Sequence, residues 1–181
     1  MTDSDNECKS DAHVVAGHTG AKMRRLSELS DPLVRSMLDY WNAKRGDRTM
    51  PSPNDIDPVD FPRYLPNVQL IQVDHDPLDF SYRLLGEQVS EIHGGNYRGR
   101  KVKDLDQVSE GFGRMMFELF ELVALRKRPF AAGGTLESLG KGYTEFEGVY
   151  MPLSFDGART DRILCASSYR IVPESERLAG E

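Results

Sequence analysis

Apolar residues first recur with a period at Leu33, Val34, Met37, Leu38 and Trp41. Steps of three and four place them on one stripe of a helix. Asp31 is a good N-cap and Pro32 suits the first helical position, so the helix is predicted over 31–45, with Gly46 as its stop. The next segment, 46–66, carries Pro51, Pro53, Pro58, Pro62 and Pro66. Each proline lacks a donor and restricts its predecessor, which excludes helix over most of the stretch. Met50, Ile56, Val59, Phe61, Tyr64 and Leu65 are too apolar for a free linker. The expectation is a strap packed on the domain, with one helical turn at 58–64.

From residue 67 the pattern turns to strands. Val68 to Val73 and Phe80 to Leu85 are apolar runs joined by a turn-rich hairpin connection, and Gly86 ends the second. A short helix follows from Glu87 to His93, closed by Gly94-Gly95, with a further turn at 101–105. The longest helix is predicted over 109–127, with Phe112, Met115, Met116, Leu119, Phe120, Leu122 and Val123 along one broad face. Three strands then follow at 130–138, 143–155 and 161–171, with Lys141-Gly142 and Asp156-Gly157 at the two turns.

Two strands, a helical excursion and a three-stranded meander imply an α+β domain built on one five-stranded antiparallel sheet. In the last strand Ile163, Cys165 and Tyr169 point one way, and Leu164, Ala166 and Ser168 the other. Both faces are largely apolar, so both need covers. The central helices cover one, and the N-terminal helix with its strap covers the other. Residues 1–29 read as a flexible tail and 173–181 as a shorter one, leaving a domain over 30–172 whose core is 67–171.

Composition narrows the class. At 181 residues with 39% hydrophobic and 29% charged side chains, the chain can bury a core without staples. A net charge of −6 argues against nucleic-acid binding, which needs a basic surface. Cys8 and Cys165 form no disulfide framework, no run approaches the ~20 apolar residues of a membrane span, and the N-terminus lacks a secretion profile. A reducing, cytoplasmic setting is expected, with no membrane partner.

The element order resembles the PAS fold. Residue by residue, Trp41, Arg48, Met50-Pro51-Ser52, Asp55-Ile56-Asp57-Pro58 and Leu65-Pro66 resemble the opening signature of stand-alone bacterial single-domain PAS proteins. Tyr82-Arg83-Leu84-Leu85-Gly86, Ile92, Gly99-Arg100 and Met151-Pro152-Leu153-Ser154 resemble that family's later segments. The resemblance spans about 31–171. It implies a sensory module that binds a small ligand or a protein domain, and it transfers no catalytic residue and no agreed ligand.

The residues alone give no enzyme. Ser167-Ser168 lacks a nucleophile elbow, and four histidines in tails and turns offer no base. Glu145 and Glu147 share a strand face and read as solvated carboxylates. Residues 87–127 hold no cysteine of the flavin-photosensor kind. His75-Asp76 gathers no further metal ligands, and Gly94-Gly95 and Gly133-Gly134 read as turns or a bulge. No haem-attachment motif is present, and haem through His93 is the one cofactor alternative. What remains is a cavity under the long helix, with Tyr82, Leu84, His93, Met115, Met116, Leu119, Phe146, Tyr150 and Ser168 as lining candidates. The competing reading is a filled core with an interaction surface, a homodimer or partner face, carried by Leu33, Met37 and Trp41. With no kinase, cyclase or DNA-binding segment in either tail, output is expected in trans.

Overall fold

The computed structural model describes residues 20–178, so Cys8 and most of the expected N-terminal tail lie outside the described residues. The sheet has six strands: β1 (Ala21–Arg24), β2 (Val68–His75), β3 (Leu78–Leu85), β4 (Phe130–Leu136), β5 (Lys141–Leu153) and β6 (Arg162–Ile171). Their spatial order is β1-β4-β5-β6-β2-β3, and every pairing is antiparallel. The helices are α1 (Pro32–Arg45), α2 (Glu87–Ile92), α3 (Phe112–Arg126) and the short α4 (Glu174–Leu178).

Two of these elements correct the sequence reading. β1 falls inside the segment expected to be a tail, and makes six strands of an expected five. Four residues of sequence AKMR carry no readable period, and it is the edge of β4 that holds them extended. Gly133-Gly134 permits this pairing: a Cβ on Gly134, at φ +136°, would collide with the Gly20 carbonyl. The C-terminal tail likewise carries α4, whose Glu176 pairs with Arg170 at 2.9 Å. The β4–β5 turn also lies earlier than expected. It runs through Glu137–Leu139 to Gly140 at φ +68°, and Lys141 already belongs to β5.

The sheet separates two apolar clusters. On the inner face, α3 sets Phe112, Met115, Met116, Leu119, Phe120 and Val123 over Ile71, Phe80, Ala132, Tyr150, Ile163 and Cys165. On the outer face, α1 lays Val34, Met37 and Trp41 over Ala131, Val149, Met151, Leu164 and Ala166. α1 begins as its sequence dictates, with the Asp31 carboxylate accepting from the Leu33 and Val34 N–H groups. A second carboxylate reaches it from the sheet: Glu147 of β5 accepts from the Ser30 and Asp31 amides at 2.8–2.9 Å. Negative charge at a helix N-terminus is stabilising.

The strap holds three short 3-10 turns, Pro53–Asp55, Pro58–Asp60 and Pro62–Asn67, where one turn is expected from sequence. Asp55 bonds both the Ser52 amide and the Arg48 guanidinium at 2.7 Å, which holds its carboxyl below the usual range. The Tyr40 hydroxyl accepts from the Asp57 amide and donates to Asp60. At the far end of the strap, Gly86 allows close approach: a Cβ there would meet the Pro66 carbonyl at 2.3 Å.

Trp41 ties α1 to the sheet twice, by burial at 2% exposure and by donating from its indole nitrogen to the Pro152 carbonyl at 2.9 Å. Trp41→Ala is therefore expected to cost about 3–5 kcal/mol, measured by urea unfolding. An unchanged midpoint would mean that α1 contributes nothing to the folded domain.

Candidate functional site

Between α3 and the inner sheet face lies a cavity of about 30 Å³. Met115, Met116 and Leu119 form its roof, with Ala132, Phe146 and Tyr150 on the sheet side. Gln69 from β2, Ser167 and Tyr169 from β6, and His93 from the end of α2 bring the polar groups. Among the described residues, no Asp, Glu, Lys or Arg lines it. The volume exceeds the ~10–15 Å³ a water needs and is far below the ~300–1,000 Å³ of pockets for drug-sized ligands.

Six of the residues singled out from sequence meet there: His93, Met115, Met116, Leu119, Phe146 and Tyr150. Three do not. Tyr82 lies in the inner cluster beside the cavity, its ring 6.5 Å from that of His93, without lining it. Leu84 is on the outer side, because a bulge between Leu70 and Ile71 breaks the alternation of β3: Ile71 pairs Tyr82 while Leu70 pairs Leu84. An extra residue in one strand reverses the faces of all that follow. Ser168 shares the outer face with Leu164 and Ala166 and borders a surface groove instead.

The proposed interaction residues also need correction. Met37 and Trp41 are buried within the chain's own outer cluster, and Leu33 packs partly against it, so this stripe is spent inside the domain. Sequence reasoning missed Gln69, Ser167 and Tyr169. Gln69 carried a readable signal, being a lone amide inside the apolar run Val68 to Val73. Ser167 and Tyr169 follow from the same alternation that puts Ile163 and Cys165 inward.

The electrostatics of the site are those of a neutral interior. Burial holds the His93 ring at a pKa of about 4, with a smaller contribution from the positive Lys141. Lys141 itself is engaged with the Glu91 and Ile92 carbonyls at the end of α2, at 3.3 and 2.8 Å. The His93 ring stacks edge-on to Phe112, with centroids 5.5 Å apart. Burial raises the Tyr82, Tyr150 and Tyr169 hydroxyls and the Cys165 thiol above their ordinary values, so all stay protonated. The Ser167 hydroxyl beside Tyr150 and Tyr169 offsets part of that rise.

Three buried polar atoms around this site have no hydrogen-bond partner among the described residues: Gln69 Oε1, His93 Nδ1 and Tyr82 Oη. Burying such a group unsatisfied costs about 1–3 kcal/mol, and most buried polar groups are paired.

The cavity adjoins a solvent-open groove of about 700 Å³ at the β1–β4–β5–β6 end of the sheet. The two share Ala21, Thr135, Phe146 and Tyr169, so they adjoin beside β1. Ser30, Asp31 and Glu147 line the same groove. Glu145 and Glu147 thus stand on this outer surface, the first paired with Arg170 at 2.8 Å and the second holding α1. The space beside the His93 ring, about 30 Å³, is far smaller than a haem. Among the described residues, no group of three metal-ligating side chains gathers, and no helix is long and apolar enough to cross a membrane.

A family model described as PAS domain matches residues 30–167. The chain belongs to the PAS domain family. Neither the curated proteins nor the solved structures give a match to it. PAS domains serve in general as sensory and interaction modules and not as catalysts. In this PAS domain the signature segments have structural work. Trp41 docks on β5 at Pro152, and Pro51 accepts from the Ser154 amide just beyond that strand. Gly99 and Arg100 bond both sides of Tyr82 on the edge strand β3, next to its bulge.

Two measurements check the site. Gln69→Leu removes an unsatisfied buried oxygen and is expected to stabilise the protein by about 1 kcal/mol, read by chemical unfolding. A loss of stability would mean the amide is paired in solution. His93 is neutral when folded but protonates at its ordinary pKa of 6.5 when unfolded. The unfolded chain therefore binds the extra proton first, and stability falls as pH drops from about 6.5 toward 4. His93→Phe is expected to flatten that limb, whereas an unaltered pH profile would place the His93 ring in water.

Proposed function

We propose that this PAS domain is a sensor whose ligand enters the cavity between α3 and the inner sheet face, and whose response is carried to α1. The supporting observation is the set of unpaired buried polar atoms at a cavity without charged lining, Gln69 Oε1 and His93 Nδ1 foremost. Such groups cost stability unless something pairs with them, and a pocket with a few polar groups among apolar walls is the usual form of a small-molecule site. Expansion is needed to admit a ligand. Met115 and Met116 roof the cavity, and methionine side chains re-pack at low cost.

The outward route runs through β5. Phe146 and Tyr150 line the cavity, and Glu147 between them grips the α1 N-terminus from the other face. A ligand that shifts Phe146 or Tyr150 changes the hold of Glu147 on Ser30 and Asp31. That is a two-site coupling of the kind that shifts populations.

A second reading is favoured by the cavity's small volume: a protein-interaction module, a homodimer or a scaffold, with a filled core. Its contact surface would be the outer side of β2 and β3, where Leu70 and Leu84 border a groove with Arg83 and Arg98.

Leu119→Trp separates the two. As overpacking of a near-filled site it is expected to cost about 1–3 kcal/mol. In a fragment screen read by melting temperature, compounds at ten times their Kd are expected to raise the wild-type midpoint by about 3–5 °C. The same compounds should leave the variant unmoved. Equal shifts in both proteins would place binding elsewhere, and no shift in the wild type would favour the filled-core module.

A further inference from the structure

The inner cavity constrains the chemistry of its occupant. We propose that it takes a small uncharged amphiphile, with an apolar body lying on Met115, Met116 and Leu119 and a hydrogen-bonding head reaching Gln69 and His93. This rests on the sensory reading above and goes beyond it by naming the class of ligand.

Charge is what the site cannot accommodate. Among the described residues every lining side chain is neutral, so an entering ion would find no counter-charge in the lining itself. A carboxylate or ammonium would be stripped of water without a partner, and an unpaired buried charge is costly. Lys141, the cation beside α2, is held by the carbonyls of Glu91 and Ile92. In the adjoining groove Glu145 pairs with Arg170, and Glu147 is taken up by the Ser30 and Asp31 amides, both on the outer surface.

A purely apolar occupant would leave the polar edge unserved. The Gln69 amide offers an acceptor oxygen and an NH2 donor, so a head that both donates and accepts, such as a hydroxyl or a primary amide, serves it. His93 Nδ1 donates or accepts according to its tautomer, which suits a hydroxyl that does both. Gln69 and His93 are 2% and 5% exposed, so bulk solvent serves neither. The apolar body is set by the roof. Unbranched Met115 and Met116 adapt to an aromatic or aliphatic shape, and methionine sulfur packs favourably on aromatic edges.

The test uses four probes of one shape: benzyl alcohol, toluene, benzoate and benzylammonium. Each is titrated into the whole chain at pH 7 by NMR. Benzyl alcohol is expected to bind about tenfold or more tighter than either ion, and about tenfold tighter than toluene. In Gln69→Leu the advantage of the alcohol over toluene should largely disappear. The charge comparison needs no variant, so it stands even where Gln69→Leu fails to fold. Binding of benzoate or benzylammonium as tight as that of the alcohol would overturn the neutral-ligand inference while leaving the cavity reading in place. Equal affinity for toluene and alcohol would overturn the polar head alone. Failure of all four to bind would bring down the sensory reading together with the inference.

Discussion

The constraint on which this structure depends is that one sheet must be dry on both faces. Alternate residues of β6 serve two separate clusters, Ile163 and Cys165 under α3 and Leu164 and Ala166 under α1. A sheet with two apolar faces has to be covered twice, and the chain supplies its second cover from α1 and a strap that holds little regular structure of its own. The strap stays in place through specific bonds, Asp55 with Arg48 and Ser52, and Tyr40 with Asp57 and Asp60. These exposed contacts are individually weak, and they position more than they stabilise. Burial of Trp41, Met37 and Met50 stabilises the cover.

Because the two covers share one wall, the inner site and the outer helix are neighbours through a single layer of backbone. β5 shows this most directly. Phe146 and Tyr150 face the cavity, and Glu147 between them faces α1. β1 adds to the arrangement by lying between the two spaces, with Ala21 shared between cavity and groove. The groups that stabilise the fold and those that suit a ligand differ in kind. Apolar burial on the outer face is complete at Trp41 and Met37, whereas the inner face keeps unpaired Gln69 and His93 in its core. That local cost is the observation on which the proposed sensory role rests.

Much of this was legible in the sequence. The stripe from Leu33 to Trp41, the long helix with Met115, Met116 and Leu119, and the two-faced pattern of β6 all follow from periodicity, which reports burial. What periodicity cannot report is tertiary pairing. β1 exists because the edge of β4, with Gly134, can receive it, and nothing within AKMR says so. Leu84 was placed on the wrong face because the bulge at Arg83 leaves no trace in composition. Ser168 was misplaced although the alternation of its own strand puts it outward. Met37 and Trp41 carried two readings, a cover for the outer sheet face and a contact surface, because a stripe says that a face is buried without saying against what; they are the cover.

The central claim is that events on the inner face, at Met115 and Met116, are where a ligand is sensed. Methyl NMR of methionine-labelled protein tests it directly, since the two clusters carry separate reporters: Met115 and Met116 inside, Met37, Met50 and Met151 outside. On titration with benzyl alcohol, the account predicts large saturable shifts at Met115 and Met116 with one isotherm, and only small shifts, following the same isotherm, at the outer three. Large shifts at Met37, Met50 or Met151 with Met115 and Met116 unmoved would contradict it.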